Sequence, residues 1–351
     1  MKKIVTCLLA TLGLNTACSQ QPFEDADAAA FAKHLADTDV IVLDVRTAGE
    51  FDEGHIADAV NIDVQQDSFV GKATSTLPAG ASVAVYCRSG RRSADAAAKL
   101  AKEGFKVVNL RGGIAEWKEN GLPVTTDTHE TDFFATKSGH LIRLVTLMHA
   151  SIRIVFDGRE IEIDPVRALG NRTTDYATMP KADFIIVTHE HADHFDKEAI
   201  RTLSDNSTRL IMNARCAELL GSGEALANGD AMQLADNLSV KAVPAYNTTE
   251  GHLQFHPKGR DNGYILTLDD TRIYIAGDTE DIPEMETLGD IDIAFLPCNQ
   301  PYTMTVEQLA KAARTVRPRV LFPYHYGQTD VSDIPQQLKK DNIETRIRHY
   351  E

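Results

Sequence analysis

The sequence predicts an α/β domain built on a parallel sheet, followed by a layered α+β domain. Three observations carry that expectation. The chain has 351 residues, more than a single hydrophobic core ordinarily serves. Its first part alternates short β-branched runs with helical text, the pattern of a parallel sheet with crossover helices. Its later part sets apolar strands in pairs across tight turns. The change falls near residues 124–138, where "VTTDTHETDFFATKSG" is polar and holds no sustained period, and 126–138 is read as a linker.

The first residues read as an address rather than as fold. Lys2 and Lys3 precede an apolar stretch, Ile4 to Leu14, too short to span a bilayer, and "NTAC" offers a small-residue cleavage site. Residues 1–17 are therefore expected to be a signal peptide. The Cys18-Ser19 pair resembles a bacterial lipobox, which implies a lipidated Cys18, a short tether over 18–22 and a periplasmic protein anchored to a membrane. Asn15 stands where that motif usually has Leu, so an ordinary cleaved signal is the alternative. Thirty-six basic residues against 51 acidic ones give a net charge of −15, which excludes general electrostatic attraction to nucleic acid. Of five cysteines, Cys7 leaves with the signal and Cys18 takes the lipid. Cys87, Cys216 and Cys298 are scattered, so no disulfide framework is implied. Cys216 and Cys298 have small or apolar neighbours and read as packing residues.

In the first domain, taken as 23–125, "VIVLDVR" and "SVAVYC" read as buried strands, and "SADAAAKLAKEG" as a helix closed by Gly104. Cys87 ends a strand and enters "CRSGRRS". There the start of a helix and three guanidinium groups favour a thiolate, hence a nucleophile. Two chemistries fit, sulfur transfer through a persulfide or phosphate-ester cleavage through a phosphocysteine. A tyrosine-phosphatase loop needs arginine six residues after its cysteine; Ser93 stands there, and Arg92 closes a tighter loop suited to a sulfane sulfur. The segment resembles the rhodanese family through "LDVRTAGEFDEGHIADAVNIDV", "CRSGRRS" and "LRGGIAEWKENGLPV". That resemblance implies Cys87 as sulfur carrier and the backbone of Arg88, Ser89, Gly90, Arg91 and Arg92 as an anion cradle, with thiosulfate or a persulfide as substrate. Arg92 would help hold the loop, and Asp44 and Arg46 would pair structurally beside it.

In the second domain, taken as 139–351, "IRIVFDGREIEID" and "YILTLDDTRIYIAGD" read as strand pairs across "DG" and "DD" turns. "TVEQLAKAARTV" reads as a helix with Thr305 and Gln308 as a capping box. The strand "FIIV" opens into "THEHADHFD", three histidines and two aspartates in nine positions, and ten of the twelve histidines lie beyond residue 124. Imidazole and carboxylate on alternate positions of one turn can converge on two cations.

His189-x-His191-x-Asp193-His194, with "EIDPV" before it and "IYIAGDTE" and "LFPYHYG" after it, resembles the metallo-β-lactamase fold superfamily, which implies an αββα fold. The resemblance implies His189 and His191 as ligands of one metal, Asp193 and His194 of a second, Asp278 as the bridging carboxylate and His325 as the last ligand of the second site. Asp164 would orient the loop. The family usually places one more histidine at a strand exit, where this chain has Tyr246-Asn247. Asn247 or a loop histidine would complete the first site; His252 and His256 are equally read as loop residues that contact substrate. "HASIRIVFDGREIEIDPV" and "HPKGRDNGYIL" further resemble the ascorbate-phosphate lactonase and N-acyl-phosphatidylethanolamine phospholipase branch.

These readings imply a bifunctional exported enzyme. Its second domain would hydrolyse an ester, lactone or phosphodiester with two Zn2+, Fe or Mn being substitutes, and Asp193 as proton acceptor. Lys258 and Arg260 could steady a charged substrate group or be a solvated pair. Two other classes compete: a persulfide dioxygenase with one iron, for which two histidines and a carboxylate suffice, and a non-catalytic binding lipoprotein.

Overall fold

The computed structural model describes residues 22–350, so the expected signal peptide and Cys18 lie outside the described residues. The first domain is a five-stranded, all-parallel sheet in the order Glu24–Ala26, Lys106–Leu110, Ser82–Tyr86, Val40–Asp44, Val60–Asn61. Every residue of Val40–Asp44 is buried, which is why the sequence there runs apolar instead of alternating. The expected helix forms over Arg91–Lys102 and stops before Gly104, whose φ of 90° reverses the chain.

Two seven-stranded sheets make the second domain. One runs from Glu224–Ala225 through Arg209–Met212, Phe184–Val187, Arg159–Ile163, Ser151–Phe156 and Leu141–Met148 to Glu130–Ala135. The other holds Leu238–Ala245, Asp261–Leu268, Thr271–Ile275, Ile293–Pro297 and Val320–Tyr324, with short strands at its edges. Ile142, Leu144, Ile152, Ile154, Ile161 and Ile163 from the first meet Val240, Leu266, Ile273 and Ile275 from the second in one core. Helix Val306–Val316 packs against that core through Leu309, Ala310 and Ala313, and helices Lys197–Leu203 and Ala214–Leu220 cover the first sheet. The result is the expected αββα layering. Both anticipated hairpins form, with Asp157-Gly158 at φ 48° and 72° in the first turn and Asp269 at φ 51° in the second. The Thr305–Gln308 capping box is present in both directions.

The polar stretch expected to be a linker over 126–138 holds a strand. Glu130–Ala135 pairs antiparallel with Leu141–Met148 as the sheet edge. Its two faces are covered by different partners: Phe133 joins the core of the first domain, Phe134 the core of the second. Buried Asp132 is taken up by Arg346 and Arg348, with Nη1 and Nη2 contacts of 2.7 and 2.6 Å. A strand buried on both sides shows no alternation, so its sequence looks irregular.

The two domains dock through the same sheet. Asp58 accepts from Arg143 Nη1 at 3.2 Å and Arg153 Nη1 at 2.9 Å, and Arg143 Nη2 also reaches the carbonyl of Val40 at 3.3 Å. Arg153 is held from its other side by Glu160, at 2.7 and 2.8 Å. Among the described residues no helix is long and apolar enough to cross a membrane.

Candidate functional site

Strand ends build the centre of the second domain. Leu141–Met148 delivers His149, Phe184–Val187 the segment 188–194, Thr271–Ile275 leads to Asp278, and Val320–Tyr324 to His325. Two groups of donors result, His189, His191, His256 and Asp278 in one and His149, Asp193, His194 and His325 in the other, with the ligand atoms of each group within 4.8 Å of one another. The Asp278 carboxylate joins them. Its Oδ2 lies 3.3 Å from His256 Nε2 and 3.3 Å from His325 Nε2, and its Oδ1 lies 3.2 Å from His194 Nε2.

The surroundings fix which ring nitrogen faces inward. Asp164, fully buried, accepts from the backbone N–H of Thr188 (2.7 Å), from Thr188 Oγ1 (2.7 Å) and from His194 Nδ1 (2.8 Å). Because the Thr188 proton goes to Asp164, Thr188 Oγ1 is left to accept from His189 Nδ1 at 3.0 Å. His256 Nδ1 donates to Asn247 Oδ1 at 2.7 Å. Protonation at Nδ1 leaves Nε2 of His189, His194 and His256 as bare lone pairs aimed into the cluster.

That donor set fits metal. His189 Nε2 and His256 Nε2 lie 3.1 and 3.2 Å from His191 Nδ1, close to the edge of about 3.3 Å that a tetrahedron of nitrogens around zinc at about 2.0 Å would have. His191 Nδ1 can donate a proton to only one of the two, so the other contact sets lone pair against nitrogen and repels unless a cation lies between them. His194 Nε2, Asp278 Oδ1 and both ring nitrogens of His325 are buried without completing any hydrogen bond, which hydrogen bonding within the protein leaves unexplained. Without a cation the cluster draws a proton instead: burial, then His194, drives His189 well below its usual pKa, whereas Asp278 and Asp164 hold His194 well above its own in spite of its burial, so a metal ion would take the place of the His194 Nε2 proton. Burial also opposes ionisation of Asp278, yet His325 and His194 keep it well below the usual carboxylate range.

His189, His191, Asp193, His194, Asp278 and His325 therefore come together as the sequence suggested. The sequence left two placements open. Of the two readings open for His256, substrate contact and loop ligand, the structure favours the second: the residue is fully buried and its Nε2 enters the first donor group. Asn247 supplies no donor there but orients His256 from behind. His149 was missed altogether. It stands alone in the sequence, one residue past a strand, and enters the cluster because its backbone turns left-handed (φ 53°). His252 stays outside both groups, its Nδ1 3.4 Å from Glu280 Oε1.

Glu280 organises the loop that brings His256 in. Its buried Oε2 accepts from Thr248 N (2.8 Å), Thr248 Oγ1 (2.7 Å), Thr249 N (2.8 Å) and Thr249 Oγ1 (2.9 Å). Burial alone would raise its pKa; those donors bring it down to about 2. Lys258 and Arg260 are engaged elsewhere, Lys258 with Glu284 at 2.8 Å and Arg260 with Asp261 at 2.7 Å.

In the first domain Cys87 is buried at the end of Ser82–Tyr86, and the loop behind it starts helix Arg91–Lys102 at Gly90, φ 85°. The "RGG" of the sequence packs on this loop. A Cβ at Gly90 would come 1.7 Å from the carbonyl oxygen of Arg111, and one at Gly113 2.5 Å from that of Cys87. Ile114 N–H donates to the Cys87 carbonyl at 2.8 Å. Ser93 Oγ lies 3.4 Å from Cys87 Sγ. Arg92 is held in a bidentate pair with Glu50, at 2.7 and 2.6 Å, and that pair lowers the Glu50 pKa to about 2. Arg88, Ser89 and Arg91 line the exposed side of the loop. Arg46 and Asp44 form the buried pair anticipated beside it, at 2.6 Å.

Comparison with known proteins agrees with both halves. Residues 143–325 match the family model of the beta-lactamase superfamily domain, and 27–120 that of the rhodanese-like domain. A UPF0173 metal-dependent hydrolase of Ligilactobacillus salivarius is 33% identical over 209 residues, 54% of this chain and 92% of the relative. A solved chain from Parabacteroides distasonis, assigned as a metal-dependent hydrolase, is 49% identical with a TM-score of 0.62, and the match covers 64% of this chain and all of that one. A metallo hydrolase from Ignicoccus hospitalis is 26% identical with a TM-score of 0.51, covering 59% of this chain and 94% of its own. The chain belongs to the beta-lactamase superfamily: it is an enzyme of the metal-dependent hydrolase type with a rhodanese-like domain fused ahead of the catalytic fold.

Proposed function

We propose that the second domain binds two zinc ions and hydrolyses an ester, lactone or phosphodiester, and that the first is a sulfurtransferase. The observation that carries the first part is the pair of complete four-residue donor groups sharing Asp278's surroundings. His189, His191, His256 and Asp278 would hold one ion, and His149, Asp193, His194 and His325 the other. When bound, such ions acidify water and polarise the bond under attack. Asp193 is the more open of the two carboxylates, its side chain 34% exposed against 3% for Asp278, and would take the proton released in the attack. Asn247, Asp164 and Thr188 keep the imidazoles in the tautomer that binds metal. The text "HASIRIVFDGREIEIDPV" and "HPKGRDNGYIL" supports placing the site in the lactonase and phospholipase branch rather than the antibiotic-hydrolysing one. The two donor groups argue against persulfide oxidation by a single iron, because His256, a loop histidine, supplies the first group's third imidazole.

In the first domain the Cys87 thiolate would attack the sulfane sulfur of thiosulfate. The S–S bond breaks, sulfite leaves, and Cys87 carries a persulfide until an acceptor nucleophile removes the outer sulfur. The Arg88–Arg92 backbone at the start of a helix favours the anionic states. The N-terminal stretch is proposed to direct export and lipid anchoring through Cys18.

Metal analysis tests the first part. About two zinc per chain, with hydrolysis lost on chelation and restored by zinc, is expected; one iron per chain with oxygen uptake on glutathione persulfide would overturn it. Cys87→Ser is expected to abolish thiocyanate formation from thiosulfate and cyanide, and retained activity would remove Cys87 from the role. Mass spectrometry of the membrane fraction would find a lipid on Cys18 if the protein is anchored there.

A further inference from the structure

We infer that the hydrolase site selects a neutral substrate with an apolar acyl or aryl group, seated on a lip formed by Leu253, Phe255 and Tyr302. This rests on the hydrolytic reading above and narrows its substrate class. Only four large hydrophobic side chains are markedly exposed among the described residues, and two of them, Leu253 (50%) and Tyr302 (45%), belong to the two segments that support His256. Phe255 immediately precedes His256 and stacks edge-on with Tyr302, ring centroids 5.0 Å apart. The Tyr302 carbonyl accepts from Asn247 Nδ2 at 2.8 Å and from His256 Nδ1 at 3.1 Å. The segments that carry these side chains are thus tied to the first donor group through the Tyr302 carbonyl, one hydrogen bond behind the His256 ring. Exposed apolar surface beside a reactive centre signals a ligand contact.

Charge argues against the anionic alternative. Phosphate recognition calls for cations free to pair with oxygen anions. The basic residues of the nearby loops are engaged: Lys258 with Glu284 (2.8 Å), Arg260 with Asp261 (2.7 Å), Arg167 with Asp196 (2.7 Å), and Lys197 with the carbonyl of Leu219 (2.5 Å). A substrate whose scissile bond is a carboxylic ester or lactone needs no further cation, and its apolar group would cover Leu253 and the Tyr302 ring.

The test uses the zinc-loaded full chain with p-nitrophenyl acetate, butyrate and octanoate, and with bis-p-nitrophenyl phosphate. Each methylene fully covered contributes roughly fourfold to binding, so kcat/KM is expected to rise at least about tenfold from acetate to octanoate and to exceed that for the phosphodiester. Leu253→Ser, at an exposed position where folding is not threatened, is expected to reduce the octanoate-to-acetate ratio by roughly fivefold. Tyr302→Ser should do the same while zinc content stays at two. A flat chain-length profile, a ratio unmoved by both variants, or preference for the phosphodiester would overturn the lip. If none of these substrates is turned over, the hydrolytic reading itself fails. Calorimetric titration with an octyl trifluoromethyl ketone then still decides the lip, which is refuted if Leu253→Ser binds the ketone as tightly as the parent does.

Discussion

Replacing Glu280 by glutamine should loosen one metal and spare the other. Glu280 Oε2 takes four hydrogen bonds from Thr248 and Thr249, all between 2.7 and 2.9 Å. A bond to a charged acceptor contributes about 1.5–3 kcal/mol and one to a neutral acceptor about 0.5–1.5, so each weakens by about 1 kcal/mol when the charge goes. Four bonds to one oxygen do not add, and about 2 kcal/mol is the reasonable total. The new amide would also set its N–H groups against the donors at Oε1, Asn247 Nδ2 and His252 Nδ1, each 3.4 Å away. The segment so loosened carries Asn247 and His256, so the cost falls on the first donor group. At about 1.4 kcal/mol per decade, 2 kcal/mol is roughly a 30-fold loss of affinity, within the 10- to 100-fold effect usual for residues behind metal ligands. The second group draws no ligand from this segment. Competitive zinc titration with a chromophoric chelator should show one of two sites weakened, with an unchanged circular dichroism spectrum. Equal weakening of both sites, or less than a threefold change in a folded protein, would refute the reasoning.

Other perturbations read different parts of the molecule. His149→Ala should bind one zinc instead of two, measured by plasma mass spectrometry; two retained equivalents would remove His149 from the centre. Asp58→Ala leaves the Arg143 guanidinium, 7% exposed, without its carboxylate, and should destabilise the docked pair of domains by about 2–3 kcal/mol in chemical denaturation; an unshifted midpoint would mean the contact is not sustained in solution. Glu162 is buried, and desolvation lifts its pKa to about 8 against the partial opposition of Arg153. A raised carboxyl pKa penalises the folded state from the unfolded value near 4.5 upward, at about 1.4 kcal/mol per pH unit, until the folded value is passed. Glu162→Gln removes that penalty. The variant should melt above the parent at pH 8.5 and close to it at pH 5, and parallel pH profiles would contradict the assignment.

What could be read from the sequence was local chemistry. The Asp-Gly hairpin, the Thr305 capping box, the cysteine loop and the dense 189–194 segment each state their geometry within a few residues. What could not be read was set by contacts distant in sequence. The strand Glu130–Ala135 is irregular because one of its faces belongs to the first domain. His149 is a lone imidazole whose partners lie at 193, 194 and 325. The sequence left the third imidazole of the first group open between Asn247 and a loop histidine, and only the folded loop brings His256 in with the asparagine standing behind it. The burial of Arg143 and Arg153 within strands was equally hidden, because their neutralising carboxylate, Asp58, lies about ninety positions earlier.

Three side chains at the centre, His149, Asp164 and His325, sit at φ 53°, 44° and 47°, a region that residues with a Cβ enter at a cost of about 1 kcal/mol or more. Glycine would occupy those places without tension. A chain with glycine at 149 or 325 should therefore recover backbone energy that its alanine counterpart forfeits, and fold into a sturdier but inert protein. Durability and reactivity are in competition at these positions, and any effort to harden this enzyme by relaxing its backbone will have to leave them tense.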